Sequence, residues 1–395
     1  MKKILLIVCS LFLAGCAPLQ SQEAHPFRIA VVDSKNMKSQ LTWYDDDLHE
    51  TGRTVLDGKT YISNPADHSE IVRYDEQNAY LVADDDKPRN VKNYGIVKVE
   101  LGTGRISVIP TEVMPLQDIF PEEGYLTVLQ QDDGSQGVPI TRVSCVRTDG
   151  SSGELLDLRI PWTRIMRTEE GYLFYRTSGK SQYAFERYSR NFQLLDCRES
   201  EMDMIAAGWD GRWYMASREY AGSAGILYAP VHRENHRLKE VDEGVFESEE
   251  FLGYSYGLMV IDTETLEHHV LEYENYRLEN PVMLKNGKIL MSGHHVELNT
   301  RKSGGAAYYS YVPDQNRLIL LDPQTERFET VTADFEPKLI TADEEYILIL
   351  DTENTIHLLD PDDLHETASI RHASDSGYAV QGLIVSRPSG GGSGQ

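Results

Sequence analysis

At positions 95–109 the chain reads Gly95-Ile-Val-Lys-Val-Glu-Leu-Gly-Thr-Gly-Arg-Ile-Ser-Val-Ile109. Apolar and polar residues alternate on both sides of its centre. Such alternation is typical of half-buried strands, because successive side chains of a strand point to opposite faces. The centre is rich in Gly and Thr, residues that suit a tight turn. The segment is therefore predicted to form a β-hairpin.

The same outline recurs along the chain, and several copies carry an Asp at the turn, where its side chain can accept a backbone N–H two residues on. With 95–109 there are seven such outer hairpins. The strong copies begin at Leu258, Leu318 and Ile356, and the weaker copies are at Val143–Leu158, Phe185–Leu195 and Ile29–Asp33.

A second element lies between these copies and consists of an apolar strand, an acidic or Gly-containing turn and an aromatic or aliphatic strand. One example is Ile119-Phe-Pro-Glu-Glu-Gly-Tyr-Leu-Thr-Val128. The segment Tyr378–Val385 is predicted to be part of a seventh inner hairpin. The other inner hairpins are at 72–82, 165–174, 205–214, 283–291 and 339–348.

One inner and one outer hairpin make a four-stranded sheet, and regular repetition of such a sheet is the signature of a propeller. The predicted fold is therefore an all-β β-propeller with seven four-stranded blades, with eight blades or two β-sandwich domains as alternatives. Seven units of roughly 51 residues each account for the length of the repetitive part of the chain. Because the chain begins with an outer-type hairpin and ends with an inner-type strand, both ends are expected to share one composite blade.

The N-terminus has Lys2-Lys3, an apolar run to Ala14, and then Gly15-Cys16. The run is too short to cross a bilayer and fits a signal peptide over residues 1–15. The stretch Leu13-Ala14-Gly15-Cys16 resembles the bacterial lipobox, and that resemblance implies that Cys16 is lipidated and becomes the first mature residue. Residues 16–26 are then the lipidated Cys and its tether. The propeller is expected over 27–388, followed by a flexible Gly/Ser tail at 389–395.

The chain has 395 residues with 38 Lys and Arg against 63 Asp and Glu, a net charge of −25. Loss of Lys2 and Lys3 with the signal peptide would make it −27. Nucleic acid is excluded as a partner, since affinity for phosphates comes mainly from Lys and Arg. The expected location is the cell envelope, extracytoplasmic and anchored through Cys16. Ala17 after that Cys resembles outer-membrane sorting in a bacterium with two membranes.

The repeated turns Ile261-Asp262-Thr263-Glu264-Thr265 and Leu321-Asp322-Pro323-Gln324-Thr325 resemble those of bacterial propeller lipoproteins and, more distantly, of pyrroloquinoline-quinone-repeat and surface-layer-type propellers. The resemblance covers most of the mature chain at the level of architecture. The regular Trp that closes many quinoprotein repeats is absent, and no cofactor is predicted.

No segment with the spacing of a catalytic or metal site fits its context. Gly253-Tyr-Ser-Tyr-Gly257 matches a nucleophile elbow, but the following residues read as a strand instead of the required helix. His232 and His236 have i, i+4 spacing without a zinc motif around them. The acidic triplets Asp45–Asp47 and Asp84–Asp86 lack the spacing of a calcium loop and are interpreted as solvated turns. The sequence therefore predicts neither catalytic residues nor a metal.

Among 22 Tyr, those in or near two long interruptions of the repeat are the candidates for partner binding, because Tyr offers a large contact area with a polar end. The hypothesis is a non-enzymatic binding or scaffolding module for an envelope protein or glycan. The alternative is a propeller enzyme, such as a polysaccharide lyase or glycosidase, with acids gathered at one mouth of the ring. The candidate partner-binding residues are Tyr220, Tyr254, Tyr256, Tyr308, Tyr309 and Tyr311.

Two Cys remain in the predicted mature chain besides Cys16. An extracytoplasmic location permits a disulfide between Cys145 and Cys197. Cys145 alternates with Val143 in an apolar strand pattern, however, and this favours a buried thiol.

Overall fold

The structure is a computed structural model in which every regular element among the described residues is a β-strand. No helix there is long and apolar enough to span a membrane. The residues described are 25–35, 38–56, 72–83, 94–111, 116–132, 140–148, 158–161, 163–178, 182–201, 213–215, 220–242, 245–273, 276–299, 308–311, 316–343, 345–375 and 377–387.

The strands are numbered in chain order. The first half of the chain holds β1 (Ile29–Lys35), β2 (Lys38–Tyr44), β3 (Glu50–Val55), β4 (Arg73–Tyr74), β5 (Asn78–Ala83), β6 (Tyr94–Glu100), β7 (Ile106–Thr111), β8 (Leu116–Glu122), β9 (Tyr125–Asp132), β10 (Ile140–Arg147), β11 (Leu158–Pro161), β12 (Thr163–Arg167), β13 (Gly171–Ser178), β14 (Gln182–Ser189) and β15 (Leu194–Glu201). The second half holds β16 (Tyr214–Met215), β17 (Ala221–Ser223), β18 (Ile226–Asp242), β19 (Val245–Asp262), β20 (His268–Glu272), β21 (Tyr276–Met283), β22 (Ile289–Asn299), β23 (Tyr308–Tyr311), β24 (Arg317–Asp322), β25 (Arg327–Val331), β26 (Pro337–Ala342), β27 (Ile347–Asp351), β28 (Thr355–Leu359), β29 (Glu366–Arg371) and β30 (Ala379–Val385).

These strands form seven antiparallel sheets, which are the blades of the propeller. Blades 1, 2, 3 and 6 are β4–β7, β8–β11, β12–β15 and β26–β29, each in chain order from the inner strand A to the outer strand D. In blade 4, β16 and β17 both pair with β18, which is followed by β19 and β20. In blade 5, β21 pairs with β22, and both β23 and β24 pair with the other edge of β22 before β25 completes the sheet. The predicted seven-bladed all-β propeller is confirmed.

Blade 7 closes the ring by combining both ends of the chain. Its order is β30-β1-β2-β3, with Ile29 opposite Val385 at the junction. The expected composite blade is confirmed. One detail was wrong: Ile29–Asp33 is strand B of this blade rather than the start of an outer hairpin, since the outer pair is β2 and β3.

The core consists of apolar clusters between neighbouring blades. In the described chain there are seven of them, one for each neighbouring pair of blades. Tyr80 and Tyr172 are fully buried, Tyr80 against the following blade and Tyr172 against the preceding one, whereas Tyr125 and Tyr346 are half-buried. Each blade can bury both of its faces only against its neighbours, so the cluster between blades 6 and 7 completes the ring.

The antiparallel order gives the ring two different faces. The A–B and C–D turns of every blade lie at one end, here called the turn face, and the B–C and D–A connections lie at the other, called the crossover face. Asp residues shape the turn face as predicted. Asp262 Oδ1, for example, accepts the backbone N–H groups of Thr265 at 2.7 Å and Glu264 at 2.9 Å. These hydrogen bonds hold the pKa of Asp262 below its usual value.

Candidate functional site

Two hairpins extend beyond the sheets at the crossover face of blades 4 and 5. Strand β16 pairs with β18 as far as His232, and β20 pairs with β19 as far as Gly257. Beyond these two residues β18 and β19 continue, paired with each other, as a ribbon that ends at Asp242 and Val245. Ten residues of strand correspond to roughly 30 Å. In blade 5, β22 continues past Gly293 and pairs with β23. These two extensions are the candidate functional site.

The base of the blade 4 ribbon turns an aromatic and polar face toward blade 5. His232 lies opposite Tyr256, and Glu234 opposite Tyr254, so that the four side chains share one face. The same face carries Leu258, which packs against blade 5 in the apolar cluster below. The His232 and Tyr254 rings meet edge to face at 5.3 Å, and the Tyr254 and Tyr256 rings lie 6.1 Å apart.

His232 is held neutral at this position. Burial, and secondarily the positive charge of Arg277, lower its pKa to about 4 against the opposing effect of Glu234. Burial also raises the pKa of Tyr254, with the Glu234 charge acting in the same direction. Near neutral pH the site therefore presents an uncharged imidazole and an uncharged phenol, which can both donate and accept hydrogen bonds.

Blade 5 contributes a buried charged group beside this face. Arg277 Nε lies 2.7 Å from Glu279 Oε1, and His294 Nε2 lies 3.4 Å from Glu279 Oε2. The Glu279 and His294 side chains are 0% and 2% exposed. A buried carboxylate is tolerated only with such partners. Arg277 lies on β21, the innermost strand of blade 5, and its positive charge lowers the pKa of His232. Arg277 is therefore the residue through which this group acts on His232.

The structure separates the predicted partner-binding residues. Tyr254 and Tyr256 lie in strand β19 instead of a loop, half-buried and 6% exposed, respectively. Tyr220 is 3% exposed, and its hydroxyl accepts the Arg167 backbone N–H at 2.5 Å, so it is a core residue between blades 3 and 4. The backbone of β23, which holds Tyr308, Tyr309 and Tyr311, pairs with Val296–Asn299. Cys16 lies outside the described residues.

Two motifs whose spacing resembles that of a nucleophile elbow and of a metal site do not have the geometry that such sites require. Ser255 lies within strand β19 and accepts a hydrogen bond from Asn235 Nδ2 at 2.9 Å, so it is not on a strand-to-helix elbow. His232 and His236 share a strand, and His236 Nε2 lies 3.3 Å from Glu234 Oε2. The segment 84–86 lies outside the described residues.

The sequence pattern does not indicate the grouping of Arg277, Glu279 and His294. Arg277 and Glu279 alternate on one strand, which indicates a shared face, but His294 follows them by more than a dozen positions. Only the strand pairing that places Arg277 opposite His294 brings the three together.

Cys145 and Cys197 are unbridged thiols on different blades. Cys145 is half-buried rather than buried, and Cys197 is exposed. The disulfide alternative is therefore not realised in this structure.

Among the solved structures compared with this chain, one with a TM-score above 0.5 supports the fold. No family model and no curated protein matches the sequence. Cobalt-substituted apocarotenoid oxygenase from Synechocystis is similar with a TM-score of 0.52 and 8% identity, over 93% of this chain and 95% of that chain. Apo AztD from Citrobacter koseri has a TM-score of 0.43 and 10% sequence identity, over 92% of this chain and 98% of that chain. BamB from Moraxella catarrhalis has a TM-score of 0.41 and 10% sequence identity, over 90% of this chain and 91% of that chain. At such identities the likeness concerns the fold alone.

Proposed function

We propose that this chain is a lipid-anchored, extracytoplasmic propeller that acts as a non-enzymatic binding or scaffolding module for an envelope protein or glycan. The observation that carries the proposal is the pair of extended hairpins on blades 4 and 5. An isolated two-stranded ribbon is only marginally stable in water, and it gains stability when another surface covers its faces. Leu252 in this ribbon is 49% exposed, which adds apolar area for a partner.

The start of the ring supports a definite orientation of the anchored protein. The His25 backbone N–H donates to the carbonyl of Thr103 at 2.7 Å, in the C–D turn of blade 1. The His25 ring also stacks on Trp43 at 5.9 Å. The proposed tether thus joins the ring at the turn face. Nine residue steps from Cys16 to His25 reach at most about 30 Å, so the turn face would lie near the membrane and the hairpins would point away.

Site-specific photo-crosslinking tests the contact surface for a protein partner. A benzophenone amino acid at Leu252 should crosslink to one envelope protein in intact cells. The matched control is the same replacement at Leu194, which is 55% exposed on the outer strand of blade 3. We expect a product from position 252 that position 194 does not give. Equal products, or none from position 252, would count against this surface.

A glycan partner is tested by sedimentation with isolated envelope glycan. Tyr254→Ala should reduce co-sedimentation at least fivefold, because the variant removes a ring that a sugar can stack against. Tyr378→Ala, in the connection from strand D of blade 6 to strand A of blade 7, is the control and should leave co-sedimentation unchanged. If neither variant changes a measurable interaction, the glycan contact lies elsewhere and the hairpin assignment for glycan fails.

A polysaccharide lyase or glycosidase activity remains the alternative, because one region holds Glu234, Glu279, two His and Tyr254. General acid or base catalysis requires a carboxylate within reach of the substrate. The Glu279 carboxylate is fully buried beside Arg277, and this favours the binding role. Release of reducing or unsaturated ends from envelope polysaccharide, lost in Glu234→Gln, would instead support the enzyme.

A further inference from the structure

A cavity of about 590 Å³ opens on the turn face between blades 3 and 4. Its walls are the A–B and C–D turns of both blades, including Thr168–Glu170, Ser223–Gly225 and Thr263. Three arginines line it: Arg167, Arg187 and Arg190. The volume lies within the range of small-molecule sites, and the cavity is on the opposite face from the extended hairpins.

Arg187 is the unusual member of this group. It lies on β14 on the same face as Tyr183 and Phe185, which belong to the apolar cluster between the two blades. Its Nε is shielded from solvent and has no hydrogen-bond partner in the part of the chain that the structure describes. A shielded polar group without a partner costs free energy, which a ligand that accepts its hydrogen bond would restore.

The other two arginines are held in place by neighbouring groups. Arg167 donates through Nη1 to the Pro121 carbonyl at 2.8 Å and through Nη2 to Glu122 Oε2 at 3.2 Å. Arg190 Nη2 donates to the Glu169 carbonyl at 3.0 Å. A guanidinium has five N–H donors, so these contacts fix the two groups without using all of their donors.

Acidic residues also line the cavity, at its solvent edge. Glu169, Glu170 and Glu264 are exposed, whereas Arg167 and Arg187 are half-buried. Charge at the exposed edge is screened by water and salt, while charge beside an apolar cluster is screened much less. The deeper part of the cavity therefore favours an anion.

We propose that this cavity binds the oxyanion group of a small ligand, a carboxylate or a phosphate, through Arg187 with support from Arg167 and Arg190. The planar guanidinium fork matches the two oxygens of either group. The Arg187 Nε gains its missing acceptor on binding.

Thermal unfolding of the full chain tests the proposal at constant ionic strength. The probes are inorganic phosphate, citrate and dihexanoylphosphatidylglycerol below its micelle concentration, which separate a free phosphate, a carboxylate and a lipid headgroup. A ligand that binds only the folded protein raises the midpoint of unfolding. We expect at least one probe at 10 mM to raise it by several degrees.

Arg187→Met is the decisive variant, and Arg147→Met, an exposed arginine on blade 2, is the charge-matched control. We expect the shift to persist in R147M and to disappear in R187M, while ligand-free R187M unfolds at the wild-type midpoint or above it. Arg187→Lys keeps the charge without the fork and should weaken the apparent affinity at least fivefold, which covers the case of a poorly folded R187M. No shift with any probe, or equal shifts in wild type and R187K, would overturn the proposal.

Discussion

Arg28 Nη2 donates to Asp343 Oδ2 at 2.6 Å across the seam where the ring closes. Arg28 directly precedes strand B of the composite blade, and Asp343 lies in the A–B turn of blade 6. The two side chains are 6% and 2% exposed, and the same guanidinium also reaches Glu345 Oε2 at 3.0 Å. This pair therefore fixes the beginning of the propeller against its last complete blade.

Replacement of Arg28 by Met should destabilise the seam strongly. Removing Arg28 leaves the Asp343 carboxylate buried without its counter-ion, while Oδ1 still accepts the backbone N–H groups of Glu345 and Tyr346, so the free energy of unfolding should fall by about 3 kcal/mol. Urea unfolding followed by tryptophan fluorescence measures the change. Arg105→Met is the control, because the Arg105 side chain is 62% exposed and 3.9 Å from a partly exposed Glu100, and its effect should stay below about 1 kcal/mol. Equal losses for the two variants would show that the seam does not depend on this pair.

Tyr220→Phe should destabilise the protein by about 1–3 kcal/mol, although it removes a single oxygen. The Arg167 backbone N–H would lose its acceptor in a buried position, and that desolvation cost is then uncompensated. Tyr273→Phe is the matched control, since its hydroxyl only reaches Thr330 at 3.4 Å near the surface, and it should change stability by less than about 0.5 kcal/mol. Urea midpoints that coincide for both variants would contradict the core role of Tyr220.

His232 should make the protein sensitive to acid. Its pKa is lowered to about 4 in the folded chain, whereas an unfolded His titrates near 6.5, so the unfolded state binds the proton more tightly. Stability is thus complete above about pH 6.5 and falls as the pH drops toward 4, by about 3 kcal/mol at most. The measurement is the free energy of unfolding against pH.

A comparison of two Gln variants isolates the contribution of His232. His232→Gln should remove this part of the acid-dependent loss, while His49→Gln, in an exposed turn, should leave the profile unchanged. If H232Q retains the full loss between pH 6.5 and 4, the imidazole is not the group responsible.

Cys16 should carry the anchor. Mass spectrometry of the mature protein should show an N-terminus at Cys16 with attached acyl chains, and the protein should fractionate with membranes. Cys16→Ser should abolish the lipid and shift the protein to the soluble fraction, with Cys197→Ser as a control that fractionates like the wild type. A wild-type chain without lipid would refute the anchor and leave the propeller itself unaffected.

The fold was predictable because each blade repeats a local pattern. Alternating apolar residues at 95–109 and the acidic turns mark hairpins wherever they occur, and strand pairing within a hairpin depends on residues close in sequence. The composite blade was also predicted, although the strand at Ile29–Asp33 was assigned to an outer hairpin and is strand B. The prediction failed where the pattern was interrupted. Tyr220 directly precedes β17 in blade 4, and no nearby periodicity indicated that it is buried.

The candidate site was much less predictable. The sequence placed Tyr254 and Tyr256 near a long interruption, but it did not show that the interruption is an extended hairpin with His232 and Glu234 on the same face. The arginine cavity was not foreseen at all. Arg167, Arg187 and Arg190 belong to a strand end, a strand and a turn of blade 3, and their common cavity exists only because blade 4 covers one side.

The sequence by itself determined the hairpins, the seven-fold repetition and the closure of the ring, because these follow from period-two burial and from turn chemistry over short stretches of chain. The tertiary structure decided which polar side chains meet: Arg28 with Asp343, Arg277 with Glu279 and His294, and the three arginines of the turn face. Those groups lie between blades or on adjoining strands of one blade. Their burial and electrostatics depend on how the sheets pack, and local periodicity carries no record of that packing.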